Sequence, residues 1–161
     1  MPTLRILPAT TAAHYAIARP LIEAYAAWLG EDLCYQDFDR ELETLAKRYG
    51  PPSGALLLAY LEEEPVGTVA LRALAEPGAC EMKRLFVQPA ARGHGLGRRL
   101  AEGIVAAGQD LGYTVMRLDT LGRLTAALTL YADLGFRETP SYYANPLPDV
   151  HYLALDLTGP G

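Results

Sequence analysis

Hydrophobic and polar positions change period several times along the chain, and each change marks an element. Thr3–Leu7 reads as a short first strand ended by Pro8. Ala18, Leu21, Ile22, Tyr25, Ala26 and Leu29 then recur at helical spacing. Thr10 or Thr11 suits the cap of that helix, Pro20 is expected to start or kink it, and Gly30 closes it. Phe38, Leu42, Leu45 and Tyr49 form a second helical stripe, capped by Asp37 or Asp39 and stopped by the Gly-Pro-Pro-Ser stretch at 50–53.

Two β segments follow, Ala55–Leu61 and Val66–Ala73, and the short charged connection between them predicts a hairpin. Glu76-Pro77-Gly78 turns the chain into a third, Cys80–Val87, which Pro89 ends. From Leu96 the period lengthens: Leu96, Leu100, Ile104, Ala107 and Leu111 lie on one helical stripe closed by Gly112. Val115–Thr120 reads as a strand and Leu124–Leu134 as a helix. Phe136–Tyr143 and His151–Leu157 read as final strands. The order β-α-α-β-β-β-α-β-α-β-β predicts a mixed α/β layout around one sheet. No internal repeat is visible.

Composition narrows the class. At 161 residues, half apolar and 20% charged, the chain suits one domain spanning 1–161 with a core of its own. No apolar run approaches the roughly 18–20 residues that span a bilayer. The N-terminus lacks the apolar centre of a signal peptide, so a cytoplasmic location is expected and no membrane partner. A net charge of −5 argues against a nucleic-acid partner. Cys34 and Cys80 imply no disulfide framework and are expected to be buried spectators. His14, His94 and His151 are far apart, without Cys or carboxylate partners at ligand spacing, so no metal is expected.

One segment breaks the ordinary pattern. Ala91-Arg-Gly-His-Gly-Leu-Gly-Arg-Arg-Leu100 places Gly93, Gly95 and Gly97 between a strand and an amphipathic helix. The first N–H groups of a helix lack intrahelical partners, and its dipole adds positive charge there. Glycines allow a ligand close to such a backbone, so the turn reads as a pyrophosphate cradle, with Arg92, Arg98 and Arg99 as added cations. A P-loop is excluded because no Lys-Ser/Thr pair follows, and the dinucleotide fingerprint fails because its last glycine falls on Arg98.

The block Glu81–Leu100 resembles the central motif of the Gcn5-related N-acetyltransferases. Arg92, Gly95 and Gly97 match its Q/R-x-x-G-x-G/A signature, and Val87-x-Pro89 matches the family's strand exit. Leu130-Tyr131-x-x-Leu134-Gly135-Phe136 is similar to a second family segment. The resemblance covers nearly the whole chain. It implies an acyl-CoA N-acyltransferase fold: a mostly antiparallel sheet with one splayed parallel pair, flanked by about four helices.

It also implies acetyl-CoA as cofactor, bound by main-chain groups of Leu85, Phe86 and Val87 and by the turn Arg92, Gly93, His94, Gly95, Leu96, Gly97 and Arg98. The splayed strands would be Glu81–Val87 and Val115–Thr120, whose unpaired backbone groups receive the pantetheine amides. A backbone N–H near Phe86 or Val87 would stabilise charge on the thioester oxygen. Tyr131 stands at the family position for the acid that protonates the departing thiolate. Glu81 is the candidate base or acceptor contact, with a water chain as the alternative. Strand alternation is expected to put Glu81, Lys83, Leu85 and Val87 on one face, and Met82, Arg84 and Phe86 on the other.

Glu31, Asp32 and Tyr35, in the loop after the first helix, and Tyr142, Tyr143 and Asn145, between the last strands, are the candidate acceptor walls. The function expected is acetyl transfer to a primary amine of a small molecule, amino-acid derivative or peptide. The alternatives are a non-catalytic acyl-CoA sensor and a protein lysine acetyltransferase. The resemblance allows a homodimer.

Overall fold

The structure, a computed structural model, describes residues 2–31, 33 and 37–159. Asp32, Cys34 and Tyr35 lie outside the described residues. One seven-stranded sheet runs in the order β1-β2-β3-β4-β5-β7-β6. Its strands are β1 (Leu4–Pro8), β2 (Ala55–Leu61), β3 (Glu64–Ala73), β4 (Ala79–Val87), β5 (Val115–Leu121), β6 (Arg137–Glu138) and β7 (Val150–Asp156). The helices are α1 (Ala12–Leu29), α2 (Phe38–Glu43), α3 (Leu45–Tyr49), α4 (Leu96–Asp110) and α5 (Thr125–Asp133). Every neighbouring strand pair is antiparallel except β4–β5.

The sheet is covered on both faces, which explains why β2 reads as the unbroken apolar run ALLLAYL. Leu57 and Ala59 join the core under α4, with Leu96, Leu100 and Ile104. Leu56, Leu58 and Tyr60 join the opposite core, with Leu21 and Ile22 of α1 and Leu45 and Tyr49 of α3. Among the described residues no helix is long and apolar enough to cross a membrane.

Three elements differ from the sequence expectation, each for a local reason. Pro20 lies inside α1, which begins at Ala12 behind a Thr11 cap: the Thr11 hydroxyl accepts from His14 N at 3.2 Å, and His14 Nδ1 accepts from Thr11 N at 3.3 Å. The stripe from Phe38 to Tyr49 is two helices. Thr44 breaks it at φ −130°, ψ 35°, its hydroxyl donating to Arg40 O at 2.7 Å and competing with the helical ladder. The strand expected over Phe136–Tyr143 is only the two-residue β6, since Pro140 brings no N–H to a ladder.

The alternation expected along β4 is broken by a bulge. Ala70 faces Lys83 and Thr68 faces Phe86, so two steps on β3 oppose three on β4. Arg84 takes up the extra residue at φ 62°. Met82 and Val87 therefore share the core beneath α4 instead of lying on opposite faces. Phe86 packs against Tyr25 and Trp28 of α1, at 6.0 and 5.8 Å between ring centres.

The parallel pair β4–β5 is joined only at Ala79–Val115, Cys80–Met116 and Glu81–Arg117. Beyond these positions the two strands part, which leaves an opening in the middle of the sheet.

Candidate active site

Two cavities meet at that opening. The outer cleft, about 440 Å³, runs along Arg92, Gly93, Gly95, Leu96 and Gly97 to the start of α5. The inner cavity, about 100 Å³, lies between β4 and β5 and reaches Lys83, Asp119, Asn145 and Tyr131. Trp28, Leu85, Leu124 and Ala127 line both, so the two cavities adjoin along these residues.

The glycine turn is built as a backbone cradle. Gly93 and Gly95 have φ 94° and 76°, a left-handed region that side chains with a Cβ adopt only at a cost. Gly95 is the residue at which α4 begins, and no side chain caps the helix start. A Cβ placed on Gly93, Gly95 or Gly97 would meet nothing within 4 Å, so the space in front of these amides is open. Arg92 turns back: its Nε donates to Val87 O at 3.0 Å and its guanidinium lies 4.7 Å from the Trp28 ring centre. Arg98 pairs with Asp133 at 2.9 Å, and His94 is exposed and lines neither cavity. Of the three main-chain sites expected for pantetheine, Val87 already receives Arg92, while Leu85 lines both cavities.

Tyr131 of α5 is buried, packs edge-on against Phe136 at 5.7 Å and lines the inner cavity. Burial, with a smaller contribution from Tyr25 and Asp119, raises its pKa above the ordinary tyrosine value, so it holds its proton at neutral pH. Among the described residues no group hydrogen-bonds its hydroxyl.

Glu81, the candidate base or acceptor contact, is held by three side chains. It is 1% exposed and does not line the inner cavity. Its Oε1 accepts from Arg72 Nε at 2.9 Å and lies 3.7 Å from Lys83 Nζ, while its Oε2 accepts from Tyr142 at 2.5 Å. The carboxylate that does line the cavity is Asp119, which strand alternation alone did not single out. Asp119 accepts from the Tyr143 hydroxyl and, at 2.6 Å, from Asn145 Nδ2. Asn145 N donates to Tyr152 OH at 3.1 Å, and Tyr152 donates on to Tyr143 O at 2.8 Å. Tyr142 and Tyr143 thus hold carboxylates from behind, while Asn145 reaches the cavity itself.

Lys83 also lines the cavity and is nearly as buried as Glu81. Desolvation lowers its pKa, and the negative charges of Glu81 and Asp119 act against that lowering. Arg84, in the same wall, is neutralised by Glu41 of α2 in a two-pronged pair. Glu31 pairs with Arg123 at 3.3 Å and lines neither cavity. Cys80 is buried, which pushes its thiol up to about 12, and it is an inert core residue. Among the described residues no group of His, Cys, Asp and Glu could hold a metal ion.

Residues 19–136 match the family model of the acetyltransferase (GNAT) family. The chain is 42% identical over 139 residues to an uncharacterised N-acetyltransferase of Schizosaccharomyces pombe, covering 86% of this chain and 85% of the other. It is 37% identical over 98 residues to the IAA acetyltransferase of Azospirillum brasilense, covering 61% of each. In fold it is similar to a GNAT-family acetyltransferase of Staphylococcus aureus, with TM-score 0.78 at 20% identity over 96% of this chain and 99% of that one. It is also similar to yncA of Salmonella typhimurium, a structure with its cofactor acetyl-CoA, with TM-score 0.67 at 20% identity over 96% and 94%. The glycine turn, the parted strands and the buried α5 tyrosine all fall within the matched span, and the chain belongs to the GNAT family of acetyltransferases.

Proposed function

We propose that the protein is an acetyl-CoA-dependent N-acetyltransferase that acetylates a primary amine of a small molecule by direct transfer. One observation carries this reading: the cleft along the open amides of the glycine turn adjoins a cavity lined by a buried tyrosine and an aspartate between two parted strands. The residues fit the cofactor. Amides at the head of α4 suit a diphosphate, and from Met82 onward the β5 side of β4 has no ladder partner to exclude a chain of amides.

When bound, acetyl-CoA supplies an acetyl group on a thioester, whose C–S bond breaks as the new C–N bond forms. Asp119 attracts the acceptor as an ammonium and takes one proton, directly or through water, to expose the nitrogen lone pair. Tyr131 donates its proton to the departing sulfur, and the second surplus proton on nitrogen restores it. The products are the amide and the free thiol. Glu81, expected as base, is assigned instead to holding Arg72, Lys83 and Tyr142 behind the cavity wall. The test is thiol release with acetyl-CoA and a panel of amines, alongside calorimetry with CoA. CoA binding with amine-dependent thiol release supports the reading, and no CoA binding overturns it.

A further inference from the structure

Among the described residues, every side chain shared by the two cavities is apolar or aromatic, which bears on the acyl group that the site admits; this rests on the function proposed above. On that reading the cofactor reaches in from the outer cleft and the amine lies at Asp119 in the inner cavity. The acyl group then lies where the two cavities adjoin. That junction is bounded by Trp28 of α1, Leu85 of β4, and Leu124 and Ala127 at the start of α5. Ala127 and Tyr131 are four residues apart on one face of α5. The sulfur that Tyr131 protonates therefore lies within a helical turn of the junction.

Trp28 is the largest of the four, and contacts beyond its own helix hold it. The Arg92 guanidinium lies 4.7 Å from its ring centre and is itself tied to β4, Nε donating to Val87 O at 3.0 Å. The buried Phe86 ring lies 5.8 Å from it. The core face of α1 is made by Ala18, Leu21, Ile22 and Leu29, and Trp28 stays 42% exposed, so the fold does not use this ring for burial. We infer that Trp28 gauges the acyl chain: the ring leaves space for the methyl group of acetyl and closes against the added methylenes of propionyl and butyryl. A longer chain has no free path inward, because the inner cavity, about 100 Å³, also receives the amine. A braced wall yields poorly to an extra methylene, and one such group changes recognition roughly tenfold or more.

The experiment is calorimetry with CoA, acetyl-CoA, propionyl-CoA and butyryl-CoA, which needs no identified amine. The native protein is expected to bind butyryl-CoA at least about tenfold more weakly than acetyl-CoA, with propionyl-CoA between them. In Trp28→Ala that ratio should fall toward one, and in Trp28→Leu it should take an intermediate value. A ring that only packs, or only supports the cofactor arm, would shift all four affinities alike on substitution; a ratio unchanged in both variants overturns the inference. Native protein that binds butyryl-CoA as tightly as acetyl-CoA overturns it without any variant. Failure of the native protein to bind CoA at all would instead overturn the parent reading.

Discussion

Glu41 grips Arg84 with two parallel hydrogen bonds, 2.8 Å from Nε to Oε2 and 2.7 Å from Nη2 to Oε1, at the residue that carries the β4 bulge. Tyr49 adds a third bond to the carboxylate at 2.8 Å. A non-glycine residue at φ 62° is strained, and the pair is what holds it there. The bulge lies just past the last β4–β5 rung, so the pair braces β4 where the opening in the sheet begins.

Breaking that pair should be costly. Glu41→Gln leaves the Arg84 charge buried and should destabilise the fold by about 3–5 kcal/mol, read as a fall in the denaturant midpoint. Burial alone would raise the Glu41 carboxyl, but the hydrogen bonds and charge of Arg84 override it and hold it below its ordinary value. A carboxylate lowered on folding contributes stability above its unfolded pKa and loses it as pH falls through the folded one. Native enzyme should therefore lose this contribution only below the usual carboxylate range. The same acid titration of Glu41→Gln should show a shallower loss, and an identical profile would count against the pairing.

Tyr131→Phe should lower kcat by about a hundredfold, within the span ordinary for a lost general acid, while CoA affinity changes little. Because burial raises its pKa, the alkaline limb of kcat should lie above pH 10 in the native enzyme. A parallel loss of CoA binding in calorimetry would assign the ring to packing on Phe136 instead.

Gly97 separates cradle from fold better than its neighbours, because its backbone is helical and needs no glycine. Gly97→Ala should raise helix stability by up to about 1 kcal/mol. The same methyl group enters the open space before the amides and should weaken CoA at least tenfold, about 1.4 kcal/mol. A stabilised variant that binds CoA normally would remove the diphosphate from this turn.

Trp28 is the single tryptophan of the chain, 42% exposed, and it lies on both cavities against Arg92 and Phe86. Its fluorescence should change when CoA fills the outer cleft and again when the acceptor fills the inner one. Titrations should return the affinities found by calorimetry; a flat signal with binding proven by heat would place both ligands away from this ring.

Local chemistry was readable from the chain, and pairing across it was not. The glycine turn and α4 follow from neighbours within ten residues, as does the hairpin of β2 and β3. The bulged Arg84 meets Glu41 from 43 positions away, and no period within β4 announces that pairing. Tyr142 and Tyr143 read in the chain as candidate acceptor walls. Their bonds to Glu81 and Asp119, 61 and 24 positions away, could not be read from the local pattern. Asp119 itself sits in the ordinary strand pattern of β5 and gains meaning only because β4 leaves its side.

The three-rung seam between β4 and β5 makes the sheet a partition with one window. If acetyl-CoA and the amine meet at that window, as proposed, both must be aboard at once. On the function proposed above, initial-rate patterns should then be sequential, with no acetylated form of the protein to isolate between the two half-events.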